Sequence, residues 1–245
     1  MQIGPLSLNI HRTVRIAENR TPASLPPNLG TAKVAKVSDY RANCPASWED
    51  SAVFVAVHEA EAIWLSFSAS SPCAIICGAG GVNAVNGEPL DLQLKAGGYM
   101  VAPPQPWIDG WKADDGTVYQ FVATRYEGGT GLTVGEQVLG EKSKSGGIGI
   151  AVFESKHSLT TVPTPSHYAV DPYGVDVWKP EPVAASAIYL VSAEDFAVLT
   201  GEATPKPVGQ ENYSGSYFAV ADTDASDLPG ASAFTGLKTV FVAEK

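Results

Sequence analysis

Apolar and polar positions alternate strictly along residues 6–10, with Leu6, Leu8 and Ile10 on one face and Ser7 and Asn9 on the other. A period of two predicts a half-buried β-strand. Val14 and Ile16 extend the apolar face, and His11 and Arg15 the polar one. Further on, the runs become predominantly apolar: Ala52–Val57, Ala62–Phe67, Cys73–Cys77, Tyr99–Ala102 and Ile148–Phe153. Such short apolar runs bounded by turn residues read as strands. Residues 52–57 and 62–67 are separated only by His58–Glu61, which predicts a hairpin. Strands are also expected at 32–37, 186–191 and 213–220, with a closing strand at Leu237–Val242. A helix is expected from Ala193 to Thr200, capped by Ser192 with Asp195 at the third helical position and ended by Gly201. A helical turn at Cys44–Trp48 and a short helical segment beginning at Asp227 complete the pattern. The fold class predicted is mostly β: an antiparallel β-sandwich or barrel-like body, jelly roll included, with two or three short helices. The Ser/Thr/Pro-rich stretch 155–167 marks a division into a main β domain (1–155) and a β-rich C-terminal part (156–245), packed together as one unit.

The stretch from Tyr99 to Thr124 organises the functional reading. Pro103, Pro104 and Pro106 remove backbone donors and fix φ, so the chain must leave its sheet there, along an extended path. Trp107, Asp109 and Trp111 follow. Asp115-Gly116 signals a two-residue hairpin that would set Trp111 opposite Gln120, Lys112 opposite Tyr119 and Ala113 opposite Val118. A second cluster of rings and a carboxylate, Tyr173, Asp176 and Trp178, lies in the C-terminal part. Aromatic faces beside carboxylates suit sugars or cationic ligands. Trp107, Asp109, Trp111, Gln105, Gln120, Tyr173, Asp176 and Trp178 are therefore the candidate ligand-binding residues, the two clusters walling one cleft if they meet. Buried indoles plugging the core are the plainer reading of the same residues.

Composition narrows the classes. The net charge of −10, with 26 acidic against 16 basic residues, argues against a nucleic-acid partner, and the longest basic cluster is only Lys142-Ser-Lys144. No 18-residue apolar run and no signal-like N-terminus are present, so a cytoplasmic protein without a membrane span is expected. Cys73 and Cys77 on one strand would stand about 13 Å apart, too far for a disulfide. Three free thiols, Cys44 among them, are expected. The isolated histidines (His11, His58, His157, His167) form no metal or nucleophile motif. His58-Glu59 reads either as a general base with its orienter or as a solvated turn. The glycines at 78, 80, 81 and 87 fail the spacing of a phosphate loop and suit a bulge or tight corner instead. Asp222–Asp227 begins like a calcium loop but lacks the glycine and the final glutamate. No metal and no cofactor are expected.

Several motifs together carry a resemblance: Ala62-Ile-Trp-Leu-Ser-Phe67, Gly80-Gly-Val-Asn-Ala-Val-Asn-Gly-Glu-Pro89, Pro104-Gln-Pro-Trp-Ile-Asp-Gly110, Tyr119-Gln-Phe-Val-Ala123 and Asp171-Pro-Tyr-Gly-Val-Asp-Val-Trp178. His11–Ile16, Leu25–Gly30, Leu199–Ala203 and Leu237–Val240 add to it. The chain resembles a family of uncharacterised bacterial and fungal proteins over nearly its whole length. That resemblance implies one inherited unit and no catalytic residues. Gly98–Trp107 also resembles the second motif of cupins, with Trp107 where a metal-binding histidine would stand, which implies a jelly roll without the cupin metal.

The functional expectation is a non-enzymatic binding or interaction protein taking a carbohydrate or small polar ligand. Its rivals are a glycosidase-like hydrolase working through Asp109 and Asp176, and a structural or self-assembling protein. Homo-oligomerisation stays open.

Overall fold

The computed structural model describes residues 1–15, 25–59, 61–124, 133–140, 146–160, 171–208 and 230–237. It is a β-sandwich of two sheets, not a closed barrel. The first sheet holds β1 (Gln2–Ile3), β2 (Leu6–Thr13), β5 (Ala62–Ala69), β9 (Trp107–Ile108), β10 (Gly110–Lys112) and β11 (Val118–Val122), in the order β1-β2-β5-β11-β10 with β9 also on β5. The second holds β3 (Val34–Lys36), β4 (Val53–Val57), β6 (Cys73–Ala79), β7 (Val82–Asn83), β8 (Met100–Ala102), β12 (Ile148–Glu154) and β13 (Ala184–Ser192), in the order β3-β4-β13-β12-β6-β7 with β8 also on β6. All these pairings are antiparallel except β4 with β13. The C-terminal β13 lies between β4 and β12, so the second sheet is built from both parts of the chain.

Side-chain parity explains the two kinds of apolar pattern. In the first sheet Leu6, Leu8 and Ile10, with Ile63, Leu65 and Phe67, enter the core between the sheets. Their neighbours Ser7, Asn9 and Ser66 stand on the opposite, outer face. The second sheet is covered on both faces. Val53, Val55 and Val57 and Cys73, Ile75 and Cys77 point to the inter-sheet core. Phe54 and Ala56 point outward to α2 (Ala193–Thr200) and Trp48, and Ala74, Ile76 and Phe153 to the segment ending at Trp178. Both-face burial is the reason these strands read as unbroken apolar runs.

The expected hairpin of 52–57 with 62–67 does not form. β4 and β5 belong to different sheets, and His58–Glu61 is a corner between them, closed by Glu61 N–H on His58 O. A strand apolar on both faces is satisfied as an inner strand of the covered sheet, whereas β5 alternates enough to face outward on one side. The prolines likewise mark a sheet-to-sheet crossing, from β8 to β9, but in a turn rather than an extended path. Gln105 N–H closes that turn on Val101 O, and the Pro103–Pro104 peptide is cis. Cys44–Trp48 forms turns without a helix, preceded by a 3₁₀ turn at Ser38–Tyr40. Gly80 and Gly81 form the two-residue turn between β6 and β7.

Helix α2 has the expected bounds: Ser192 Oγ accepts from Asp195 N–H, and Gly201 takes the left-handed C-cap. A second helix, α1 (Val134–Leu139), occupies a stretch in which the sequence showed no helix; Thr133 and Glu136 close a full capping box at its start. The expected strands at 213–220 and 238–242, the loop at 142–144, the residues 161–167 and the acidic run 222–227 lie outside the described residues, as does His167. The helical segment expected from Asp227 is seen only as a 3₁₀ turn at Ser232–Phe234.

Cys44, Cys73 and Cys77 are free thiols. Burial pushes Cys73 and Cys77 up to about 12, so neither offers a thiolate near neutrality. In the native protein a disulfide-exchange reagent is expected to titrate Cys44 alone, and all three thiols after denaturation. Rapid native labelling of more than one thiol would contradict the burial of the β6 pair.

Candidate functional site

The sequence-predicted ledge is split by one residue of register. Ala113 N–H and Thr117 O close a three-residue loop, Asp114-Asp115-Gly116, with Gly116 at φ +84°. A left-handed glycine at the third position of such a loop shifts the pairing relative to a two-residue turn. Trp111 thus faces Tyr119, Lys112 faces Val118, and Gly110 faces Gln120. Because parity alternates, the shift separates Trp111 from Gln120. Trp111 turns into the inter-sheet core, 7% exposed, edge-on to Phe121 with ring centroids 4.6 Å apart. Gln120 goes to the outer face, where its amide reaches Val14 O at 3.5 Å. Gly110 is fixed by crowding: a Cβ there would lie 2.1 Å from Tyr119 O.

Trp107 takes the other side from Trp111. It pairs directly with Ser66 of β5, so the two share the outer face, and Trp107 is half-buried. Gln105 is buried and donates to Trp107 O at 2.7 Å, which pins the strand's start. Asp109 sits where β9 gives way to β10, its carbonyl accepting from Phe121 N–H.

Around Trp107 the outer face of the first sheet carries rings, hydroxyls and amides. Asn9, Ser66 and Trp107 form one row across three strands, and His11 and Trp64 are opposite each other in the next. His11 stacks on Trp64 at 3.8 Å with 20° between the planes, and its Nε2 shares a 2.7 Å hydrogen bond with Ser66 Oγ. Trp64 is covered, whereas Ser66, His11, Trp107 and Gln120 are partly exposed and Asn9 and Ser68 open to solvent. Desolvation lowers the His11 pKa from its ordinary value, opposed by a side-chain hydrogen bond to Asn28. An imidazole held flat on an indole is a rigid floor for this part of the face.

The second predicted cluster is a packing knot. Asp171 accepts from the Tyr99 hydroxyl, from Trp178 Nε1 at 2.8 Å and from Tyr173 N–H at 2.7 Å. Trp178 is buried and meets the Tyr173 ring edge-on. Burial first, then the Asp171 hydrogen bond, drive the Tyr99 hydroxyl well above its ordinary pKa. Tyr173 is half-buried and Asp176 exposed. These residues pack on the outer face of the second sheet, away from Trp107 and Asp109 on the first. The clusters therefore do not wall one cleft. Sheet spacing alone, about 10 Å, exceeds the separation that a glycosidase pair of Asp109 and Asp176 would need.

His58 and Glu59 do not act together either. His58 Nε2 hydrogen-bonds Pro205 O, and the carboxylate beside its backbone is Glu61, which accepts from His58 N–H. Among the described residues no group of three or more His, Cys, Asp or Glu is placed to hold a metal ion, and no helix is long and apolar enough to cross a membrane. His11, Trp64 and Ser66 were not among the sequence-predicted candidates, although strand alternation already placed His11 beside Ser7 and Asn9.

Comparison with family models, curated proteins and solved structures finds no match to this chain.

Proposed function

We propose that this is a non-enzymatic binding protein whose ligand surface is the outer face of the first sheet, centred on Trp107, and that its ligand is a carbohydrate or a small polar molecule of similar chemistry. The observation that carries this reading is the row Asn9–Ser66–Trp107 beside the His11–Trp64 stack. A sugar offers apolar C–H faces to an indole and hydroxyls to amide and hydroxyl groups, and this surface offers those partners. The buried carboxylate Glu61 is sealed by Arg12, and the partly buried Asp171 is taken up by Tyr99 and Trp178. That favours binding over carboxylate catalysis.

Glycan-array screening followed by calorimetry tests the reading. Trp107→Ala is expected to weaken binding at least about tenfold, or 1.4 kcal/mol. As a partly exposed residue its loss should move the melting temperature by only about 1–2 °C. Absence of any glycan or polyol binding by the parent protein, or unchanged binding by Trp107→Ala, would contradict it and favour a structural role.

A further inference from the structure

Residues 202–208, Glu-Ala-Thr-Pro-Lys-Pro-Val, leave α2 and run without regular structure across one end of the sandwich. None of their side chains belongs to any of the three apolar clusters among the described residues. The body instead grips their main chain. Arg12 Nη2 donates to Lys206 O at 2.8 Å, His58 Nε2 to Pro205 O at 2.9 Å and Lys33 Nζ to Ala203 O at 2.9 Å. Glu61 Oε1 accepts from Val208 N–H at 3.2 Å. Among the described residues, Glu202 engages through its side chain, with Lys33 and Tyr40 at the rim.

Two of the gripping groups are more deeply buried than the segment they hold. Arg12 and Glu61 are buried and paired at 2.6 Å, while Glu202, Ala203, Lys206 and Pro207 are exposed. Arg12 Nε, also buried, has no acceptor among the described residues. Pro205 and Pro207 restrict φ and favour an extended, polyproline-like chain whose carbonyls point outward. A segment held mainly by exchangeable hydrogen bonds, with Thr204, Pro205 and Val208 only partly buried and outside the core clusters, opens at low free energy.

We propose that this segment is a displaceable internal ligand, and that Arg12, His58, Glu61 and Lys33 form a second binding site, for the main chain of an extended, proline-containing peptide from another protein. The site supplies donors for the carbonyls of Ala203, Pro205 and Lys206 and one acceptor for the N–H of Val208, three residues beyond Pro205, a spacing set by a peptide main chain. The prolines reduce the ordering cost of the occupant, as in other polyproline recognition.

The test uses the full chain carrying Pro205→Gly and Pro207→Gly, with near-UV circular dichroism to confirm its folded state. The probe is a labelled, end-capped peptide of sequence Gly-Glu-Ala-Thr-Pro-Lys-Pro-Val. Fluorescence anisotropy is expected to show saturable binding to this variant. The parent chain should bind at least about tenfold more weakly, since its tethered segment competes at an effective concentration on the order of mM. Adding His58→Ala to the variant should cost a further factor of about 2–10, one hydrogen bond. No binding to the folded variant overturns the proposal. So does equal binding to variant and parent, or a variant that refuses the peptide because it dimerises by exchanging the segment between copies. Hydrogen exchange on the unaltered protein gives an independent reading. Val208 N–H is expected to exchange at least about a hundredfold faster than β5 amides, and equal protection would overturn the proposal.

Discussion

Trp111→Ala is expected to destabilise the protein by about 3–5 kcal/mol, the range for removing a large aromatic from a packed core. The indole lies among Ile108, Phe121 and the facing residues of the second sheet, so alanine leaves a cavity that rigid strands cannot collapse to fill. With roughly 2–4 °C per kcal/mol for a chain of this size, the melting temperature should fall by about 6–20 °C. Trp111→Phe should recover part of the loss, because the edge-on contact with Phe121 has an aromatic replacement. The Trp111 Nε1 has no hydrogen-bond partner among the described residues, so phenylalanine sacrifices no polar contact. Thermal denaturation of the two variants beside Trp107→Ala checks the division of the ledge. A Trp111→Ala protein melting within about 2 °C of the parent would place that indole outside the core.

The second large effect is expected at Arg12 and Glu61, with side chains only 5% and 2% exposed. Breaking a buried ion pair by removing one partner costs about 3–5 kcal/mol, because the other charge stays in a poorly solvated place. Glu61→Leu should fall in that range, since it also strips acceptors from His58 N–H and Val208 N–H. Replacing both, Arg12→Met with Glu61→Leu, removes the stranded charge. The double variant should be more stable than the sum of the single losses requires, by at least about 1 kcal/mol. Urea unfolding of the parent, both single variants and the double variant measures this coupling. Strictly additive losses would show that the two charges do not depend on each other.

The strands were legible in the sequence wherever one face is wet or both are dry. Alternation marked β2, and continuous apolar runs marked β4, β6 and β12. Sheet membership was not legible. A four-residue connection between Val57 and Ala62 fits a hairpin and a sheet-to-sheet corner equally well, and only the partners of β4 across the second sheet decide it. The cap residues of α2 announced it, and the same signal at Thr133 and Glu136 announces α1, but in so short and weakly apolar a stretch it had no periodic pattern to support it.

The candidate site failed in part for a local reason with long reach. Asp115-Gly116 was right as a turn signal and wrong in loop length, and the one-residue slip sent Trp111 inward and Gln120 outward. Trp107 and Gln120 keep a common face, and Gln105 supports Trp107 from behind. Tyr173, Asp176 and Trp178 looked similar in composition, yet Asp171, a residue not singled out, collects the hydrogen bonds that make that segment a cover for the second sheet. Composition identified residues fit for stacking; it could not tell which sheet face each would occupy.

The claim that the outer face of the first sheet is the ligand surface is tested most directly by the five tryptophan indole N–H signals in ¹H–¹⁵N spectra, titrated with an oligosaccharide that the protein binds. Assignment by single Trp→Phe variants separates Trp48, Trp64, Trp107, Trp111 and Trp178. The account predicts that Trp107 shifts most, that Trp64 beneath His11 shifts with it, and that Trp48 and Trp178 on the second sheet stay fixed. Shifts confined to Trp178 or Trp48, with Trp107 unmoved by saturating ligand, would contradict it.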